Sequence, residues 1–574
     1  MRFAQRLSLI TLLVLTSAAA QSPQGSPRLD ERLPANTQLY LYWHGFASMQ
    51  GTRPANSLMR LWDDPEFAPA REAILERFMK DNSGSLPPNV TKEAVLSMLD
   101  NQAILGVMRL WPSRPPASAA TGTAPAPQPD RSFLVYDATG KLPIVQAAMQ
   151  LLPASDGKPL NITRTSFSKS TIESFPAKRG VTHRSIVGNY YIQSDDRQTL
   201  EQLVKQFETP SAPGLAQDAN YQSARRTIGD ATTLDMFINL RALADQMQES
   251  LAKQAPAGGD AALKSLRVDS IRAAVMGLKF EAPATRIRAA VLGDMAHGGL
   301  FDVVGASSSD FVTAKVAPAG SASYSAFRVD LGGFYRSLRA SLKSSLTAEQ
   351  FRNVEQLEAA ADTALGMPLQ DALQLLSGEM ATFALESGAD FEANAFAFAI
   401  RKPEEVLHIV RQMFGSSISS ESREGDATHL AVAMPYRDSK TGMQRKRFYY
   451  AAITPQMLIV APRKAMLREV MQRYAAGTAP NLAADSKFLA ARTRVPQALS
   501  GFGYADLSRI QWENEVRVWS EIAGSESSAA SASPSAGTDW RKLVSPAALS
   551  RHLHLAVTGW WKQGDGLYFD GFIE

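Results

Sequence analysis

The chain has 574 residues, no cysteine, and a formal net charge of +4 from 60 Lys and Arg against 56 Asp and Glu. A chain this long can bury large cores without cross-links. The missing cysteines exclude a disulfide framework, any thiolate metal site and lipid attachment at a processed N-terminal Cys. Near-neutral charge argues against nucleic acid as a partner, because such binders carry a basic stripe.

Met1–Ala20 has the layout of a secretory signal: Arg2 and Arg6, the apolar stretch Leu7–Leu15, then the small residues Ser17–Ala20. The apolar stretch is shorter than the roughly 20 residues that span a bilayer. Cleavage near Ala20 would place the chain in the periplasm or outside the cell. An uncleaved anchor is the alternative. No later stretch is long and apolar enough for a membrane helix, so the cleaved chain is not expected to be an integral membrane protein. A polar lead follows (residues 21–32), then strand Gln38–Phe46, apolar on both faces. Asp64-Pro65 starts a helix, with Asp as the cap and Pro in the first turn. Phe67, Ala70, Ile74 and Phe78 form its apolar stripe.

The chain then resembles itself. Ile192–Leu240 lies over Ile459–Leu507 without a gap, so that Leu200 meets Leu467, Asp218 meets Asp485, Tyr221 meets Phe488 and Arg225 meets Arg492. The shared loop reads A-P-x-L-A-x-D-x-x-[YF]-x-x-A-R. Further pairs extend the match: Leu96–Leu99 with Leu373–Leu376, Phe133–Tyr136 with Phe396–Ala399, and Ala273–Gly277 with Leu555–Gly559. Such self-similarity predicts two copies of one unit. The first α+β repeat is expected over residues 33–311 and the second over 312–574. The second opens at Ala317-Pro318-Ala319, with strand Ser323–Leu331 and helix Gly333–Leu342. The Pro- and Ser-rich tracts 112–130, 254–262 and 523–539 read as loops.

The strands of the second half show the layering. Phe396, Phe398 and Ile400 alternate with Ala395, Ala397 and Ala399, giving one bulky face and one small face that allows close approach. His429–Tyr436 and Gln444–Ile453 flank the turn 438–442 as a hairpin. The basic cluster Arg445-Lys446-Arg447 falls on its solvated edge. Strand Gln456–Ala461 and helix Arg463–Tyr474 follow. Meanders interrupted by helices predict an α+β fold, each unit having an antiparallel or mixed sheet with amphipathic helices packed on it.

Ser166-x-x-Lys169, Ser194-Asp195-Asp196 and Lys440-Thr441-Gly442 occur in the order used by penicillin-binding proteins. Their context does not fit: Thr163–Ile172 alternates like a strand or loop, Asp196 stands where Asn is needed, and Lys440–Gly442 lies in a polar turn. His552 and His554, two apart on an expected strand, could grip a metal from one side, but no third ligand is placed. His44, His183, His408 and His429 are scattered. Asp218 and Asp485 are placed to cap the short helices carrying Tyr221/Phe488, Ala224/Ala491 and Arg225/Arg492, with a salt bridge accounting for Arg. Met457, Met466, Met471, Trp560 and Trp561 suit either an apolar groove or a plain core.

Leu33-Pro34-Ala35-Asn36-Thr37 before a first strand, Leu376-Ser-Gly-Glu379 before another, and the L-A-x-D motif at Leu215–Asp218 and Leu482–Asp485 give the chain its likeness. It resembles the secreted, internally duplicated α+β proteins of bacteria that carry a domain of unknown function. Asn101-Gln102 departs from Gly378-Glu379 in the first half. The resemblance implies the duplicated fold and brings no catalytic residues. The sequence therefore predicts a non-enzymatic binding or scaffold protein of the cell envelope, with no cofactor and no metal. A periplasmic carrier of an apolar ligand or lipid is the alternative, and a serine acyl-transferase or hydrolase a remote one.

Overall fold

The computed structural model describes residues 28–49, 51–81, 91–109, 131–150, 161–177, 180–209, 214–229, 232–246, 267, 270–295, 300–385, 394–437, 443–476, 480–525 and 540–574. The expected signal Met1–Ala20, the tracts 112–130 and 254–262, the turn 438–442 and residues 526–539 lie outside them. Ala523–Ser525 instead end the helix Trp512–Ser525. The chain forms two compact units that are not contiguous in sequence. One comprises 1–254, 271–292 and 520–548; the other comprises 255–270, 293–519 and 549–574. The expected boundary at 311/312 thus falls inside the second unit.

The first unit is built on β1 (Leu39–Trp43), β2 (Ala103–Val107), β3 (Ser132–Asp137), β4 (Thr163–Phe167), β5 (Ser170–Ala177), β6 (Gly180–Val187), β7 (Tyr190–Ser194), β8 (Leu234–Ile238), β9 (Ile271–Phe280) and β10 (Thr285–Gly293). Hydrogen-bonded neighbours run β4-β5-β6-β7-β3-β2-β1-β8-β9-β10, and those from β4 to β9 are antiparallel. Strand β1 is paired along both edges, by β2 and β8, and is buried on both faces by the layers packed on the sheet. Leu41 and Trp43 face a cluster with Phe46, Met49 and Met59, whereas Tyr40 and Tyr42 face the opposite layer. Such two-sided burial explains the unbroken apolar run Leu39–Trp43.

The second unit contains β11 (Ser323–Val329), β12 (Gly378–Ala384), β13 (Asn394–Ala399), β14 (Ile418–Glu424), β15 (Ala427–Arg437), β16 (Gln444–Ile453), β17 (Met457–Ala461), β18 (Gly501–Asp506), β19 (Leu555–Gln563) and β20 (Gly566–Ile573). Its order is β14-β15-β16-β17-β13-β12-β11-β18-β19-β20, antiparallel throughout. The fold is therefore α+β with a large antiparallel sheet. Ala395 and Ala397 are fully buried in one cluster with Met466, Leu467 and Val470 of helix Lys464–Ala476. On the other face Phe398 and Ile400 meet Val406 and Leu407 of helix Pro403–Phe414. Small residues let the first helix sit close; bulky ones fill the space under the second.

Local chemistry follows the aligned residues closely. Thr37 Oγ1 donates to Pro34 O at 2.7 Å, and Ser321 Oγ to Pro318 O at 2.7 Å. Pro34 bridges to Gly214 and Pro318 to Asn481, each just before the shared L-A-x-D loop. Gly277 approaches Ile228 and Thr232, while Gly559 approaches Val495 and Leu499, so close that a Cβ would crowd them. Tyr221 meets Phe237 edge-on at 5.5 Å, and Phe488 meets Tyr504 at 5.4 Å. Such ring pairs contribute about 0.5–1.5 kcal/mol beyond their buried area.

Candidate functional site

In the first unit the layer under Tyr40 and Tyr42 is polar. Asp30, expected within a featureless polar lead, is fully buried in a 3-10 turn, Asp30–Arg32, and Leu29 beside it is buried too. The lead is structural from Arg28 onward, because Asp30 gathers donors from distant elements. Tyr40 and Tyr221 donate to its Oδ2 at 3.1 and 2.6 Å, and Arg28 reaches both of its oxygens at 3.0 Å. Leu29 N donates to Tyr42 OH at 3.2 Å, and Tyr42 OH in turn donates to Gln102 Oε1.

Asp235 lies opposite Tyr42 on β8, inside the otherwise apolar run Leu234–Ile238. It too is completely buried. Its Oδ2 receives Arg225 Nη1 at 2.6 Å, Arg28 Nη2 at 2.7 Å and a His44 Nε2 contact at 2.9 Å. Burial favours the neutral acid, but His44, Arg225 and Arg28 overcome it and hold this carboxyl well below the usual carboxylate range. Burial opposes the Arg28 charge as well, yet Asp30 and Asp235 raise its pKa. Tyr40, Tyr42 and Tyr221 are pushed above the ordinary phenol value, mainly by burial and then by Asp30. The network opens on a cleft of about 350 Å³ lined by Arg28, Glu31, Tyr221, Gln222, Arg225 and Arg226.

The second unit has a different arrangement. Ala326 lies directly opposite Phe502 there, as Tyr42 lies opposite Asp235 in the first unit. The polar centre sits instead on Glu379, which accepts Thr313 N and Oγ1 at 2.6 Å each and Arg328 Nη2 at 3.0 Å. Tyr324 reaches Thr313 Oγ1 at 2.7 Å.

The expected caps are present. Asp218 Oδ1 accepts Tyr221 N at 2.8 Å, and Asp485 Oδ1 accepts Lys487 N and Phe488 N at 2.9 and 3.1 Å. The arginines divide: Arg225 makes the expected salt bridge, whereas Arg492 donates to the carbonyls of Pro496 and Gln497. With Phe502 where Asp235 would be, Arg492 has no acid to meet there and ties down a loop.

The other candidates are dispersed. Ser166 is exposed on edge strand β4, and Lys169 lies in the β4–β5 turn, so no helix presents them. Ser194 is buried and donates to Ser132 O at 2.8 Å; Asp195 accepts Ser132 Oγ, and Asp196 caps the helix Arg197–Glu208 through Thr199 N. Lys440, Thr441 and Gly442 lie outside the described residues. His552 ends the helix Pro546–His552 and His554 follows in the connection to β19, so they do not share a strand as expected. Pro546 starts a helical turn that the apolar alternation around Leu553 and Leu555 conceals. His183 Nδ1 pairs with Ser174 Oγ at 2.8 Å, and His429 lies 3.9 Å from Glu424. Among the described residues no three His, Asp or Glu converge as a metal site. Met457 and Met466 are buried core, and Met471 and Trp561 pack against it. The ring of Trp560 lies across Gly501.

The sequence reading missed the Asp30–Asp235 network. Its available signal was a single acid, Asp235, in an apolar strand. No family model matches the chain, and no curated protein matches it. A solved structure, "Structure of crystal form III of TP0453", is similar over 48% of this chain and 84% of that chain, at 11% identity and a TM-score of 0.20. A likeness so slight bears on neither fold nor function.

Proposed function

We propose that the chain is a non-enzymatic binding or scaffold protein of the cell envelope, made of two copies of one α+β unit and exported by its N-terminal signal. The observation that carries this is the electrostatics of the cleft above Asp30 and Asp235. General acid–base catalysis works best with a pKa near the operating pH. Here the shifts run the other way: Asp235 is held ionised, Arg28 cationic and the three tyrosines neutral. Groups locked in one protonation state hold a structure or a ligand rather than move a proton. The matching caps, glycine contacts and ring pairs support the duplicated reading, since these matching residues do the same structural work. The test is a broad panel of ester, amide, phosphate and glycoside substrates with the purified chain. No turnover is expected; turnover abolished by Asp235→Asn in a folded protein would overturn the proposal. Labelling of Ser166 by a penicillin probe would favour the acyl-transferase alternative.

A further inference from the structure

In the second unit, β15 and β16 outrun the rest of their sheet. Strand β14 pairs with β15 only as far as Val432, and β17 pairs with β16 only from Tyr450 onward. Beyond those points no other strand among the described residues pairs with them, from Ala433 opposite Phe448 to Arg437 opposite Gln444. A two-stranded ribbon with both edges open is marginal by itself in water. This one is also chemically one-sided in charge. In sequence, residues 433–449 carry Arg437, Lys440, Arg445, Lys446 and Arg447 against a single acid, Asp438. Arg447 lies over the Tyr436 ring at 4.8 Å, which stiffens the ribbon, while Arg437, Arg445 and Lys446 are exposed. Large apolar side chains stand among them in solvent: Met443 is 64% exposed and Phe448 43%.

Cations interleaved with exposed Met and Phe, next to Tyr436 and Tyr449, suit one kind of surface. Anionic headgroups would meet the cations, and the apolar tips would enter the boundary with the acyl chains. We infer that the β15–β16 arm docks the protein on an anionic lipid bilayer surface. This goes beyond the binding or scaffold reading and does not depend on it, because an enzyme could carry the same arm. Turnover would sink that reading and leave this one standing.

The test is cosedimentation of the chain from Gln21 onward, which keeps every described residue, with vesicles of phosphatidylcholine alone or with about 30% phosphatidylglycerol added as the anionic lipid. Binding is expected to the anionic vesicles only, and is lost near 1 M salt, where the screening length is about 3 Å. The double variant Arg445→Gln/Lys446→Gln should weaken it roughly 25-fold, at about fivefold per cation. Met443→Ser/Phe448→Ser should weaken it too, with the salt dependence retained. Phe448→Trp gives a direct reading: its emission should shift to the blue and be quenched by brominated acyl chains. Far-UV dichroism and urea midpoints should match wild type for each variant. Absent vesicle binding, equal binding to neutral vesicles, or binding untouched by these variants overturns the inference. So does equally tight binding to duplex DNA or polyglutamate, which would mean charge alone acts. If the cations serve only to keep an open strand edge from aggregating, as edge charges often do, no vesicle binding results.

Discussion

The substitution Asp235→Asn puts the buried network to its hardest test. It keeps the shape of the side chain and removes the charge that Arg225, Arg28 and His44 converge on. Arg28 retains Asp30 at 3.0 Å and is 19% exposed, so it is only partly stranded. Arg225 fares worse: it is 9% exposed, and Asp235 is its ion-pair partner at 2.6 Å, beside a bond to the neutral carbonyl of Gly229 at 3.1 Å. Breaking one side of a buried ion pair costs about 3–5 kcal/mol. With Arg28 still partnered, the loss should lie near the lower end, about 3 kcal/mol. At about 2–4 °C per kcal/mol for a unit of this size, the transition should fall by about 6–12 °C. Scanning calorimetry and urea titration of the full chain measure it. A loss under about 1 kcal/mol would refute the argument, since it would mean the pair is solvated like a surface one. The companion Asp235→Leu/Arg225→Met removes both charges and should recover much of the loss, as apolar replacements of buried pairs often do. If the double variant suffers the sum of both single losses, the two side chains are not coupled.

Acid should act through the same carboxyl. Its folded pKa is depressed, so its stabilisation is present above the ordinary carboxylate value of 3.8 and is lost as pH falls toward the lowered one. The stability gap between wild type and Asp235→Asn, read as urea midpoints across a pH series, should therefore close below about pH 4. Asp218→Ala and Asp485→Ala each remove an N-cap and should cost about 1 kcal/mol in urea unfolding, without changing the helix assignment by dichroism. Adding a methyl at Gly277 would place Cβ 2.7 Å from Thr232 Cγ2 and 2.9 Å from Ile228 Cβ; at Gly559 the closest atoms are 3.1 Å away. Overpacking costs about 1–3 kcal/mol. Gly277→Ala should lower the thermal midpoint more than Gly559→Ala, and the reverse order would show that the two contacts relax differently from their static spacing.

Periodic and capping signals were the legible part of this chain. Asp64, Asp218 and Asp485 cap as expected because an N-cap needs only neighbouring residues, all of which a sequence displays. Strands β15, β16 and β17 fall within a residue or two of their expected limits, since alternation over several residues is hard to mistake. Two errors share a different cause. Asp30 read only as part of a polar lead because the partners that bury it, Tyr40 and Tyr221, are 10 and 191 residues away. His552 and His554 looked like strand residues because Pro546, which ends the extended pattern and starts a helical turn, lies upstream of the window that alternates. Local chemistry was readable; partners supplied by the fold were not.

That asymmetry also says where function should be sought. Positions that match between the two halves of the sequence hold caps, close glycines and edge-on rings, and these have a sufficient structural reason. Positions that differ do so sharply. Across paired strands the first unit sets Tyr42 opposite Asp235 and the second sets Ala326 opposite Phe502, with its own buried acid at Glu379 on β12. The first unit has the arginine-lined cleft above Asp30 and Asp235, and the second has the basic arm of β15 and β16. Neither feature can be transferred by analogy from one half to the other, and each must be tested on its own residues.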